Sequence, residues 1–257
     1  MDFTRKRYAQ LLDALLAQGY VFYTFEQYCE ADKQSLPKRM VILRHDIDLR
    51  ASYALEIAKM EQERGILASY YFGVSSDSNQ PDIIRAIAQM GHEIGYHYED
   101  MSLCKGDGEK AVAHFQQQLE YFRQFYPVRT VCMHGAPRSN YDSKDIWKYA
   151  DYKEWGIIGE PYFDVDYADV FYLTDTGRCW DGYKVSRRDK IPQFHDEWCN
   201  RGWNYHSTKD VIHAIQQGTI APRMLITTHP QRWTDGFGAW LWELVFQSLK
   251  NVVKRLI

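Results

Sequence analysis

Carboxylates and imidazoles recur along this chain at the ends of short apolar runs. After Val41-Ile42-Leu43 comes Arg44-His45-Asp46-Ile47-Asp48, and after Glu93-Ile94-Gly95-Tyr96 comes His97-Tyr98-Glu99-Asp100. Val131-Cys132-Met133 leads into His134-Gly135, Ile157-Ile158-Gly159 into Glu160-Pro161, Phe171-Tyr172-Leu173 into Thr174-Asp175, and Leu225-Ile226-Thr227-Thr228 into His229-Pro230. In parallel β/α folds the residues that follow strands gather at one mouth. One such residue is usually a satisfied buried polar group, but this many at equivalent positions are hard to explain as packing. Carboxylate and imidazole donors without cysteine suit one borderline divalent ion such as zinc, held by roughly three protein groups with a position left open. That is a hydrolytic design, in which a nearby carboxylate takes a proton from the attacking water. Asp46 and Asp48 lie two apart and share a face if extended, so one can bind the ion while the other serves as base. Spacing leaves open which does which.

The elements that must position these groups alternate. The apolar, β-branched and aromatic runs 40–43, 68–74, 93–97, 130–133, 156–159, 170–173 and 224–228 predict buried strands. Helical spacing predicts helices over 51–64, 82–90, 109–125 and 209–217, several ending at Gly65, Gly91 or Gly218. Further helices are expected over 4–18 and 239–256. Strand–helix alternation implies parallel βαβ units, and seven strands in this length suit a closed or nearly closed β/α barrel. No Pro/Gly/Ser-rich or charged linker divides the chain, so a single domain over 1–257 is expected.

With 31 basic against 34 acidic residues in 257 the net charge is −3, which gives no global field for nucleic acid. No stretch approaches the ~18 uninterrupted apolar residues of a membrane span. Asp13, Gln18 and Gly19 interrupt a secretory apolar core, so a cytoplasmic protein is expected. The five cysteines, Cys29, Cys104, Cys132, Cys179 and Cys199, are scattered without a Cys-x-x-Cys pair, which argues against both a disulfide framework and a thiolate zinc knuckle. Aromatic residues make up 15% and either fill a core or stack on flat ligands such as sugars.

From about Met40 to Trp233 the residues resemble the polysaccharide deacetylase family, metal-dependent carbohydrate esterases built on a distorted seven-stranded β/α barrel. Leu43-Arg44-His45-Asp46-Ile47-Asp48 is similar to the family's first motif, which implies Asp46 as catalytic base and Asp48 as metal ligand. Gly91-His92-Glu93-Ile94-Gly95-Tyr96-His97 is similar to the second motif and implies His97 as a ligand, with His92 structural. Where the family has another histidine four residues after His97, this chain has Met101, so the third ligand must come from elsewhere: His134 from the next strand end, or Glu99 or Asp100. Leu225-Ile226-Thr227-Thr228-His229-Pro230 resembles the last motif and implies His229 as the general acid. The family's arginine-containing third motif is not clearly present; Arg138 and Arg178 are the candidates to replace it. Asp175 is a candidate to orient His229 or Arg178, and Glu160 to contact substrate. Tyr98, Tyr162, Trp180 and Trp233 follow strand ends and are candidates to stack on a sugar ring.

The activity implied is hydrolysis of a C–N bond with one divalent metal ion, zinc, most simply deacetylation of an N-acetylated sugar or sugar conjugate in surface-polysaccharide or lipopolysaccharide (O-antigen) biosynthesis. The alternatives are a non-sugar or uronic amide on the same scaffold, or an inactive sugar-binding relative.

Overall fold

Seven short apolar segments pair side by side in parallel in the computed structural model, which describes residues 1–256, with side chains through residue 252. The strands are β1 (Val21–Tyr23), β2 (Met40–Ile47), β3 (Ser69–Phe72), β4 (Glu93–Tyr98), β5 (Val131–Met133), β6 (Phe171–Thr174) and β7 (Arg223–Thr228). Their order is β5-β4-β3-β2-β7-β6, and β1 pairs with the first residues of β2. Helices α1 (Arg5–Ala17), α2 (Phe25–Glu30), α3 (Ala51–Gln62), α4 (Pro81–Gln89), α5 (Asp100–Leu103), α6 (Gly108–Phe122), α7 (Pro161–Asp164), α8 (His195–Asn200), α9 (Thr208–Gln217) and α10 (Phe237–Leu256) complete the chain. The sheet curls into a half-barrel of the distorted β/α type. The 156–159 run does not form a full strand: Gly159 makes a single parallel bridge to Thr130 beside β5, and the wall is not closed from there to β6. The seventh strand is instead β1, whose three residues are too few for a pattern to show.

Local chemistry sets the element ends. The Thr4 hydroxyl accepts from the Arg7 amide and caps α1, whose Tyr8, Leu11, Leu12 and Leu15 are buried. β2, β3 and β4 are buried along their whole length, as strands covered on both faces must be. In the segment Gly91–His97 the two glycines are required for different reasons. Gly91 has φ +91° where the chain leaves α4, a conformation that favours glycine. Gly95 faces the Tyr71 ring so closely that any Cβ would overlap it.

The pleat sorts the polar residues of β2. Arg44 and Asp46 point into the barrel, while His45 points outward beneath α1 and α3. There a buried cluster forms around Glu61 of α3, which accepts hydrogen bonds from the Tyr8 and Tyr70 hydroxyls and lies 2.8 Å from His45 Nε2. Burial opposes the charge of Glu61, but His45 and His92 keep its carboxyl below its ordinary range. Removing one member of such a cluster leaves the others buried and unpaired, at a cost of about 3–5 kcal/mol. Glu61→Ala is therefore expected to lower the thermal midpoint by roughly 10 °C in calorimetry; an unchanged midpoint would show that the cluster is not structural.

Candidate active site

At the carboxyl edge of β2, register decides which side chains meet. Ile47, Phe72 and Tyr96 are neighbours across β2, β3 and β4, so Asp48 and His97, each one residue further on, emerge at the same height. The residue at that level on the strand between them is Gly73, which has no side chain to part them. His97 Nε2 lies 3.5 Å from Asp48 Oδ1, and His134 Nε2, arriving from the end of β5, lies 3.6 Å from the same oxygen. His229 Nε2 is 3.8 Å from Asp48 Oδ2, which also accepts from the Gln231 amide at 3.2 Å.

Each imidazole is held from behind. His97 Nδ1 donates to the Cys132 carbonyl at 3.0 Å, and His134 Nδ1 donates to Glu99 at 2.8 Å. Such backing fixes the tautomer and aims Nε2 at the mouth, as it does for metal-ligating histidines in general. Burial alone would raise the Asp48 carboxyl, but His134 first, then His97 and His229, hold it well below its usual range. Burial would likewise lower His134, and the carboxylates of Asp48 and Glu99 instead push it up to about 9.

The donor set fits a divalent ion. Asp48 Oδ1 is buried without a hydrogen-bond partner, and ligand atoms of Asp48, His97 and His134 lie within 4.8 Å of one another. One carboxylate and two imidazoles are donors that zinc accepts. A second grouping, Asp46, His97 and Cys132, is equally compact. Its chemistry is poorer, because the Cys132 thiol is pushed far up by burial and Asp46 is already taken. Both oxygens of Asp46 are gripped by Arg44, Nε to Oδ1 at 2.9 Å and Nη2 to Oδ2 at 2.7 Å, in a bidentate pair deep in the barrel.

His229 is mounted on Asp175. Its Nδ1 lies 2.6 Å from Asp175 Oδ1, and a carboxylate has no proton to give, so Nδ1 donates and Nε2 faces the mouth. Asp175 also accepts from the His229 amide, from Arg232 at 2.6 Å and from the Trp233 indole at 2.8 Å. These partners, Arg232 foremost, keep it ionised against burial.

The structure does not bring all the expected residues to this mouth. Arg178 is turned away, donating to the Trp240 carbonyl and lying over the Trp240 ring; the guanidinium beside Asp175 is that of Arg232. Arg138 is exposed on the loop after β5, and the arginine gripping Asp46 is Arg44. Tyr98 alternates with His97 along β4 and so points outward, packed against Phe115 and Trp147. Trp180 and Trp233 pack against each other and Phe3, Trp233 being fully buried as a donor to Asp175. Glu160 is also fully buried, its oxygens taken by the Met133 and Tyr162 amides and the Tyr98 hydroxyl, and burial pushes it up to about 7. Asp100 is turned to Tyr96 and His114, His92 lies buried between Ala58 and Ala68, and Met101 is packed in the core. Among the named aromatics only Tyr162 reaches the rim, donating to Asp189 at 2.6 Å.

Asp189 is a site residue that the sequence reading missed. It lies 3.8 Å from Arg44 and accepts from the hydroxyls of Tyr162, Tyr172, Thr174 and Thr176; against burial, Arg44 first, then His229 and the Thr176 and Tyr162 hydroxyls, hold it far below the carboxylate range. It sits in a long irregular segment with no periodic signal. Arg44 was legible in principle, because two residues' separation from Asp46 in a strand puts both on one face.

No protein-family model and no curated protein matches this sequence. Three solved structures are similar in fold. A Streptococcus pyogenes deacetylase, PplD in complex with acetate, is 17% identical with a TM-score of 0.42, over 50% of this chain and 60% of that one, less than two thirds of its length. A family 4 carbohydrate esterase from Bacillus anthracis is 13% identical with a TM-score of 0.45, covering 94% of this chain and 85% of the other. Bacillus subtilis PdaA, also a family 4 carbohydrate esterase, is 10% identical with a TM-score of 0.44, over 94% and 84% of the two chains.

Proposed function

We propose that this chain is a divergent polysaccharide deacetylase, a zinc-dependent hydrolase that removes the acetyl group from an N-acetylated sugar, with surface-polysaccharide assembly, O-antigen included, as its setting. The observation that carries the reading is the unpartnered, buried Asp48 Oδ1 facing the Nε2 atoms of His97 and His134, beside a second carboxylate at Asp46. Asp48, His97 and His134 would hold the ion, which when bound supplies Lewis acidity to water and to the amide carbonyl.

The chain's own groups do the rest. Asp46, 4.0 Å from His97 Nε2, is the base that takes a proton from the attacking water, and Arg44 fixes the direction in which its oxygens point. His229, its Nδ1 committed to Asp175, carries a proton on Nε2 to the departing nitrogen. An amine leaves poorly unless protonated, whereas an activated ester leaves without help. His229→Gln is therefore expected to slow amide substrates by ~10²–10⁴ while sparing an activated ester. Equal losses on both, with a lowered melting temperature, would make His229 structural.

The test of the proposal is acetate release from N-acetylated sugars by the metal-replete protein, lost with a chelator and restored by zinc. Metal bound without acetate release, but with turnover of a non-sugar amide, would shift the substrate class. Absence of tight metal together with indifference to chelator would overturn the hydrolase.

A further inference from the structure

The two carboxylates of the mouth are held in different ways. Both oxygens of Asp46 are engaged by the Arg44 guanidinium. On Asp48 the oxygens have separate surroundings. Oδ1 has no hydrogen-bond partner and lies 3.5 and 3.6 Å from the Nε2 atoms of His97 and His134. Oδ2 accepts from the Gln231 amide at 3.2 Å, with His229 Nε2 at 3.8 Å. Local geometry delivers Gln231 to that place. Pro230 opens a single 3₁₀ turn, Pro230–Arg232, in which the Arg232 and Trp233 amides donate to the His229 and Pro230 carbonyls at 2.9 and 3.0 Å. Such a turn has three residues per revolution, so neighbouring side chains leave it about a third of a turn apart. Arg232 goes to Asp175 and Gln231 to Asp48.

Gln231 is 5% exposed, so its amide is enclosed together with its partner. An ionised carboxylate only accepts, which sets the amide with its nitrogen toward Asp48. The amide's own Oε1 is then left buried without a partner. Two side chains in contact thus each keep one enclosed oxygen unmatched by any donor, Asp48 Oδ1 and Gln231 Oε1. Unpartnered buried acceptors are few in folded proteins, and two together make an electron-rich place that suits a cation. A residue needed there only for packing would carry no such atom. The neutrality of the donor matters as well. A guanidinium or ammonium on Oδ2 would compete with a metal ion for the charge of Asp48, whereas an amide fixes the direction of the carboxylate and leaves its charge in place.

We propose that Gln231 is the positioning residue of the ion site: by occupying Oδ2 it makes Asp48 a one-oxygen ligand and keeps Oδ1 turned to His97 and His134. This role rests on the reading of Asp48 as a metal ligand.

The experiment is the zinc affinity of the full chain, read by competition with a chromophoric chelator, for the wild type, Gln231→Met and Gln231→Asn, beside circular dichroism melts of the metal-free proteins. Methionine keeps the length without a donor, and asparagine keeps the amide but draws it back by one carbon. Both variants are expected to fold and to raise the zinc dissociation constant ~10–100-fold, the usual effect of removing the hydrogen-bond partner of a metal ligand. An unchanged dissociation constant in the folded variants overturns the proposal, and a lowered metal-free melting temperature beside it makes Gln231 structural. Wild-type affinity in Gln231→Asn alone shows that the amide acts without reaching Asp48, and overturns it too. Zinc binding that is lost in Asp48→Ala but indifferent to Gln231 overturns this role alone, whereas a wild type that takes up no zinc overturns the metal reading and this role with it.

Discussion

Asp48→Ala should yield a folded protein that retains no stoichiometric divalent ion and hydrolyses amides only at background. The side chain sits among His97, His134 and His229, and its Oδ1 has no partner within the protein. Removing the carboxylate takes away the only anionic donor of the set and leaves three imidazoles around an uncompensated space. Folding should survive because Asp48 lies past the end of β2, outside the sheet pairing. Metal analysis after extensive dialysis, beside a circular dichroism melt, reads both arms. A full equivalent of metal in Asp48→Ala would sink the assignment, and the same measurement on His134→Ala would then decide whether Glu99 had taken over.

Asp46→Asn is the second large effect, and it separates two carboxylates only two residues apart. Asparagine keeps the shape, but its amide nitrogen cannot accept a proton and turns two hydrogens toward a site where Arg44 already donates twice. Turnover should fall by the ~10²–10⁴ of acid–base catalysis while metal content stays at the wild-type level. Loss of metal instead would mean that Asp46, with His97 and Cys132, forms the ion site. Near-normal turnover in the metal-replete variant would remove Asp46 from the chemistry altogether.

Much of the framework was legible because burial and period speak in sequence. β2 and β7 contain unbroken apolar runs, 40–43 and 224–226, and the glycines after α4 and α9 mark the ends of those helices. The residues that follow those strands were legible too, since fold geometry alone sends Asp46, Asp48, His97 and His229 to one edge. What surrounds them was not. Trp233 and Tyr98 read as possible sugar platforms because sequence does not show that one is committed to Asp175 and the other, by the pleat, to the outer layer. Glu160 read as a substrate contact because it follows an apolar run like the other polar residues of the mouth, yet here backbone amides enclose it. Arg232, three residues after His229, and Asp189, far along an aperiodic loop, serve the mouth through tertiary contacts that no local pattern encodes.

The four hydroxyls around Asp189 have one more effect, on what the rim can recognise. A hydroxyl owns a single proton, and Tyr162, Tyr172, Thr174 and Thr176 each direct theirs at the same carboxylate. What they have left for a visitor is lone pairs. A hydroxyl hydrogen brought against Tyr162 or Thr174, the two of the four that are not buried, would therefore find an acceptor there, whereas a phosphate or carboxylate oxygen in the same place would meet electron pairs alone.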